Sequence, residues 1–158
     1  MSEVIIRRYR RSDRQPVLDI TEESFGGFCM EARVEEHFGP IAQMTWQQRK
    51  AGGIDYDLRC NPEHTLVAER DEQVVGYICN RVYRDQRIGH IANLAVALAH
   101  QGQGIGKMLI SAALAHLRDC GMRYARIETL ESNARGCKLY PSFGFKEVGR
   151  QVFFMREL

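Results

Sequence analysis

The residues best placed to do chemistry form one stretch, His100-Gln101-Gly102-Gln103-Gly104-Ile105-Gly106-Lys107, with three alternating glycines ahead of an apolar-periodic segment. Glycine lets backbone pass close to a ligand. Free N–H groups at a helix start point the same way, and the helix N-terminus adds positive potential. Such a turn is an anion cradle, to which Lys107 contributes a full charge. Two phosphate-binding patterns fail against it by spacing. A dinucleotide fingerprint starting at Gly102 needs glycine at 107, where Lys107 stands. A P-loop ending at Gly106-Lys107 needs glycine at 101 and a hydroxyl at 108, where Gln101 and Met108 stand. A tight turn without a ligand is the plain alternative.

The elements around this turn follow from periodicity. Residues 3–7 read as a strand, and Ser12-Asp13 opens a helix in which Pro16 is tolerable only in the first turn. Two short helices, Glu31 to Phe38 and Ile41 to Lys50, are expected between the breakers Gly26-Gly27, Gly39-Pro40 and Gly52-Gly53. Thr65–Glu69 and Val74–Cys79 flank the charged turn Arg70-Asp71-Glu72-Gln73 as a hairpin. Ile88 to Val96 is a third strand of that group. Ile105, Met108, Leu109, Ala112, Ala113 and Leu117 keep helical spacing, with Gly121 as the stop. Tyr124 to Leu130 reads as a strand, Asn133 to Phe143 as a helix, and 145–148 and 151–155 as closing strands. The expected order is β-α-α-β-β-β-α-β-α-β-β, an α/β domain spanning 1–158 with helices flanking a mixed sheet.

Composition narrows the class. With 158 residues, 44% apolar and 27% charged, the chain has globular proportions. A net charge of +2 is too small to argue for nucleic acid. It conceals a partition: residues 1–18 carry +3, residues 19–57 carry −5 and residues 58–158 carry +4. The five cysteines are scattered, without a C-x-x-C pair, and the five histidines form no H-E-x-x-H or H-x-x-x-H pair. No metal site is expected from these patterns. No apolar run approaches the ~18 residues that span a membrane. The N-terminal residues lack a signal-peptide pattern, so a soluble cytoplasmic protein is the expectation.

At the glycine turn the chain resembles a known family. Gln101-x-x-Gly104-x-Gly106 is similar to the (Arg/Gln)-x-x-Gly-x-(Gly/Ala) acyl-CoA motif of the GNAT N-acetyltransferases. The stretch from Asn133 through Leu139-Tyr140 to Gly144-Phe145 resembles the family's N-x-x-A-x-x-L-Y-x-x-x-G-F segment, with Gly136 where alanine is usual. Nearly the whole chain fits, and the GNAT-like fold matches the element order above. Glu128 with Ser132-Asn133 is similar to the E-x-x-x-S-N pattern of the ribosomal-protein alanine acetyltransferase branch.

The resemblance implies acetyl-CoA as co-substrate and direct transfer to a primary amine in a ternary complex. It places the CoA pyrophosphate on the amides of Gln101, Gly102, Gln103, Gly104, Ile105, Gly106 and Lys107. It places the pantetheine arm along the backbone of Leu94, Ala95 and Val96, with Asn133 as a further hydrogen-bonding partner. A main-chain N–H there would stabilise the developing oxyanion. A lysine-like amine, with a pKa of about 10.4, must lose a proton before it attacks. Glu128 and His90 are the two base candidates, and Tyr140 is the general acid. Lys107, Arg135 and Lys138 are candidates to meet CoA phosphates.

Each residue has a plainer alternative: a strand-end carboxylate paired with Arg126 or Arg135, a buried imidazole, a packing aromatic, a helix cap. The acceptor is open between protein N-terminal α-amines and small amines such as polyamines, aminoglycosides or lysine. The acids Glu22, Glu23, Glu31, Glu35 and Glu36 either attract a cationic amine or form solvated helix faces. A non-catalytic acyl-CoA sensor and a nucleotide-binding domain are the readings from other classes. No nucleic acid or membrane partner is expected, and a homodimer is one arrangement the resemblance allows.

Overall fold

The computed structural model describes residues 2–158. β1 (Ile5–Arg8) leads through a short 3-10 turn into α1 (Arg14–Ser24), followed by α2 (Met30–Phe38) and α3 (Trp46–Cys60). Asp13 fixes the first junction. Its carboxylate accepts from the Arg10 backbone N–H at 2.7 Å and from both Arg7 terminal nitrogens at 2.7 and 2.9 Å. α3 starts where Thr45 and Gln48 cap each other's backbone. It then runs through Gly52-Gly53, where the sequence alone predicts a break. A side chain at either glycine would point into open space, so they lie on the outer face. On the inner face Ala51, Ile54 and Leu58 are buried. Their burial outweighs a glycine penalty of about 1 kcal/mol per residue.

β2 (Thr65–Arg70), β3 (Gln73–Tyr83) and β4 (Ile88–Val96) form an antiparallel meander, and α4 (Ile105–Asp119) returns the chain so that β5 (Tyr124–Ile127) pairs parallel with β4. The sheet has five strands in the order β1-β2-β3-β4-β5. One face packs on α4 through Leu66, Ile78, Ile91, Leu109 and Leu117. The other packs on α1 and α3 through Val17, Ile54, Leu58, Val67 and Tyr77. α5 (Ala134–Ser142) follows β5. This is the expected α/β class on a mixed sheet, with two differences in element count. Three helices separate β1 from β2, as the three segments read there imply although the expected order counts two, and residues 145–158 form no strand. Val148, Val152, Phe153 and Phe154 there are exposed, so no apolar face holds that segment against β5. Among the described residues no helix is long and apolar enough to cross a membrane.

Two irregularities of β4 shape the site. Cys79 pairs with Asn93 but Asn80 pairs with Ile91, so Ala92 is an extra residue and β4 bulges there. The pairing with β5 ends at Ile91–Ile127, while β4 continues to Val96. Beyond the bulge β4 therefore has a free edge.

Candidate functional site

The free edge of β4 carries backbone groups at alternate residues. Ala97 N–H donates to Val75 O at 2.9 Å, so by antiparallel alternation Ala95 and Asn93 turn their backbone toward β3. Leu94 and Val96 turn theirs toward the gap, whereas the Ala95 backbone is occupied by the sheet. The Val96 carbonyl accepts from Ser24 Oγ and from Gln101 Nε2, each at 3.0 Å. The N–H groups of Leu94 and Val96 face the gap.

The glycine turn lies at the end of that edge. Gly102 and Gly104 have φ of +78° and +83°, a left-handed conformation that explains glycine at both positions. Gly104 is the N-cap of α4 and brings no side chain to it, so the amides of Ile105, Gly106 and Lys107 have no capping acceptor. Nothing lies within 4 Å of where a side chain would sit at Gly102, Gly104 or Gly106. The turn is open as well as donor-rich, as a polyanion requires. Side chains from two other elements brace it. Gln101 Oε1 accepts from Arg135 Nη1 of α5 at 2.9 Å, and Gln103 Oε1 accepts from Arg70 Nη1 of β2 at 2.6 Å. The sequence pattern places Arg70 in the hairpin turn. It is instead the last residue of β2, because Asp71 and Glu72, both at positive φ, make the turn alone. Lys107 and Lys138 are exposed.

The two base candidates come together. His90 Nε2 lies 2.9 Å from Glu128 Oε1, the imidazole side chain 6% exposed and the carboxylate 66% exposed. The contact is close but out of hydrogen-bond alignment, and neither ring nitrogen has another partner among the described residues. Burial pushes the His90 pKa below its usual 6.5, and the Glu128 charge only partly restores it, so the imidazole is neutral at pH 7.

Both line a pocket with Glu31, Lys50, Asp57, Arg81 and Asn93. Asp57 accepts from Arg81 Nε at 2.8 Å and Nη2 at 3.0 Å, and from Asn93 Nδ2 at 3.3 Å. Lys50 Nζ donates to Asn93 Oδ1 at 2.9 Å and lies 4.0 Å from Glu31. Glu31 and Asp57 are thus balanced by Lys50 and Arg81. Glu128 is the pocket carboxylate without a Lys or Arg partner. Of the five acids singled out in the sequence, only Glu31 reaches this pocket. Glu23 accepts from the Leu98 N–H at 3.0 Å, Glu35 and Glu36 pair with Arg49 and Arg33, and Glu22 lies with Asp19 on another groove. Asp57, Arg81, Asn93 and Lys50 were not identified from sequence, since each sits in an element with no motif around it.

Tyr140 lies on α5, edge-on to Phe145 with ring centroids 6.3 Å apart. Burial raises its hydroxyl pKa above 10, so it holds its proton at neutral pH. It does not line the His90–Glu128 pocket. Asn133 caps α5, accepting from Gly136 N–H at 3.1 Å and donating to Thr129 Oγ1 at 2.9 Å. Gly136 has a clear role here. A side chain at that position would meet Asn133 Nδ2 at 2.8 Å and Tyr140 Cε2 at 3.1 Å. Glycine lets the cap and the phenol approach one another.

With this geometry, comparison with known proteins is informative. Residues 20–145 match the family model described as the acetyltransferase (GNAT) family. A mycothiol acetyltransferase of Stackebrandtia nassauensis is 36% identical over 155 residues, covering 92% of this chain and 51% of its own length. Human N-acetyltransferase 8B is 34% identical over 92 residues, covering 55% of this chain and 40% of its own. The chain spans about half the length, or less, of the curated relatives it matches. Among solved structures, a GNAT acetyltransferase from Brucella melitensis in complex with acetyl-CoA superposes with a TM-score of 0.66 at 27% identity, over 93% of this chain and 85% of that one. An N-acetyltransferase from Thermoplasma acidophilum in complex with coenzyme A shares the fold, with a TM-score of 0.72 at 19% identity over 91% and 90% of the two chains.

Proposed function

Because this chain belongs to the GNAT acetyltransferase family, we propose that it moves an acetyl group from acetyl-CoA to the primary amine of a small molecule, by direct transfer with both substrates bound. One observation carries the proposal. An unbalanced carboxylate, Glu128, stands against a neutral His90 in a polar pocket, on the strand whose free edge runs to an open amide-lined glycine turn.

The residues fit acetyl-CoA. The amides of Ile105 to Lys107 and the space over Gly102, Gly104 and Gly106 suit a pyrophosphate, with Gln101 and Gln103 holding the turn through Arg135 and Arg70. The gap beside β4 suits an extended arm, recognised by the main chain of Leu94 and Val96. Asn133 caps the start of α5, the helix that carries Tyr140. Acetyl-CoA, when bound, supplies the activated carbonyl.

The chain's own groups supply the proton handling. Glu128, two-thirds exposed, is the group that meets the acceptor ammonium and takes its proton. His90, buried behind it, neutral and 2.9 Å from the carboxylate, is the second candidate for that role. A main-chain N–H at Leu94 or Val96 is placed to stabilise negative charge on a carbonyl oxygen in the gap. Tyr140 Oη holds a proton through neutral pH and is the donor for the departing thiolate.

A small amine is favoured because α2 and α3 wall one side of the pocket, and because the Stackebrandtia relative is named for acetylation of a small molecule. Protein N-terminal amines are the second reading, supported by Glu128 with Ser132-Asn133. We also propose that residues 1–158 act as one domain in the cytoplasm.

The test is release of free thiol from acetyl-CoA in the presence of a panel of polyamines, aminosugars, aminoglycosides and N-terminal peptides. A small amine is expected to give turnover, and Tyr140→Phe to lower kcat by at least tenfold while acetyl-CoA affinity stays within threefold (about 0.7 kcal/mol). Acetyl-CoA binding without turnover for any amine would favour the sensor reading instead. Turnover with peptides alone would favour the second.

A further inference from the structure

At the far end of α4 from the glycine turn, about 20 Å along a helix of this length, three side chains from separate parts of the chain converge. His64 Nδ1 lies 3.0 Å from His116 Nε2, and Cys120 Sγ lies 3.7 Å from His116 Nε2 and 4.0 Å from His64 Nδ1. None of them takes part in the acyl-transfer site. We propose that His64, His116 and Cys120 form a binding site for a zinc-like transition-metal ion, with solvent in the fourth position.

The spacing is that of ligands around one ion. Tetrahedral zinc with bonds of about 2.0–2.1 Å to nitrogen and about 2.3 Å to sulfur sets its ligand atoms roughly 3.3–3.6 Å apart. The three distances here bracket that range, so closure needs shifts of a few tenths of an ångström. The ligand types agree: two imidazoles and a thiol suit zinc and its neighbours and exclude calcium and magnesium. The protonation state agrees too. An imidazole with an ordinary pKa of about 6.5 is largely neutral at pH 7, so nitrogen lone pairs are available. Binding would displace one proton, from the Cys120 thiol to solvent, as the S–metal bond forms.

A second feature separates this cluster from a chance encounter. The other nitrogen of His64, Nε2, faces Glu63 Oε1 at 3.5 Å. A carboxylate behind the distal nitrogen is the usual outer support of a metal-bound histidine, fixing its tautomer and raising its basicity. The local charge is mixed, with Glu63 and Asp119 opposing Arg8 and Arg84. The cluster is also built on rigid supports. His116 and Cys120 are one turn apart on α4. His64 is buried just ahead of β2, its carbonyl held by Asn80 Nδ2 at 2.8 Å. His116 and Cys120 are only partly buried, which leaves an entry path.

The experiment uses the full chain carrying Cys60→Ser and Cys137→Ser, which removes the two exposed thiols, stripped with chelator and titrated with Zn2+ against a chromophoric competitor. One ion per chain is expected, with Tm rising as zinc is added. Cys120→Ser and His116→Gln should each weaken binding by about 100-fold, and Glu63→Gln by about tenfold. Co2+ in place of Zn2+ should give a thiolate charge-transfer band that Cys120→Ser abolishes. Cys120→Ala, checked for native far-UV circular dichroism without metal, covers the case in which serine disturbs the fold. Absence of stoichiometric binding, or binding and a cobalt band that survive loss of Cys120, would overturn the proposal. Neither result bears on acetyl transfer, which is measured separately by thiol release.

Discussion

The donor side and the acceptor side of the proposed site are built on different principles. The donor side is main chain: amides at the start of α4, the edge of β4 past Ala92, and glycines that keep the surface open. The acceptor side is side chain: Glu128 and His90 against a network of Asp57, Arg81, Asn93 and Lys50 drawn from three elements. A surface of backbone tolerates substitution wherever the backbone conformation survives. A surface of side chains depends on the identity of each.

Three substitutions sharpen that contrast. Glu128→Gln has the largest expected effect, a fall in kcat of about 10²–10⁴-fold, as for loss of a general base. Acetyl-CoA affinity, measured by calorimetry, should stay within threefold (about 0.7 kcal/mol); a parallel loss of both would erase the division between the two sides. Gly104→Val comes next. A β-branched residue at φ +83° is strained, by roughly 1–2 kcal/mol, and the turn should reshape. Acetyl-CoA affinity is expected to fall about tenfold, with kcat at saturating acetyl-CoA little changed. Leu94→Ala is the smallest for activity. The half-buried side chain packs on the α4 face, so its loss should cost about 2 kcal/mol of stability by denaturant titration. The rate at saturation should stay within about twofold, because the backbone at 94 does the recognising.

The same division explains what could be read from sequence. The donor side is contiguous, so the spacing of Gln101, Gly104 and Gly106 exposed it without knowledge of the fold. Glu128 and His90 are both named by the family resemblance as candidate bases. That they touch could not be read there, since contact across β4 and β5 depends on a parallel register set by α4 between them. Asp57 and Arg81 were invisible because a lone acid on a helix and a lone arginine on a strand are ordinary in any sequence. Gly52-Gly53 misled for a related reason. Helix propensity is a local quantity, and the buried Ile54 and Leu58 that override it gain their energy from β2 and β3. The His64 cluster carried a partial signal, histidine and cysteine four apart at 116 and 120. Its third member comes from before β2, and patterns confined to histidine pairs or cysteine pairs pass over it.

Ala92 also imposes a rule of parity. Side chains along a regular strand alternate between faces, so residues an odd number apart lie on opposite sides. His90 and Asn93 are three apart, yet both line the acceptor pocket. The unmatched residue between them turns odd into even. A regular ladder with β3 that kept all of these residues would turn either the imidazole or the carboxamide into the apolar face beneath α4, and it is the bulge at Ala92 that prevents this. Loops elsewhere can change length without reaching the chemistry. In β4 the chemistry depends on one residue staying out of the ladder, because that step is what lets His90 and Asn93 share a face.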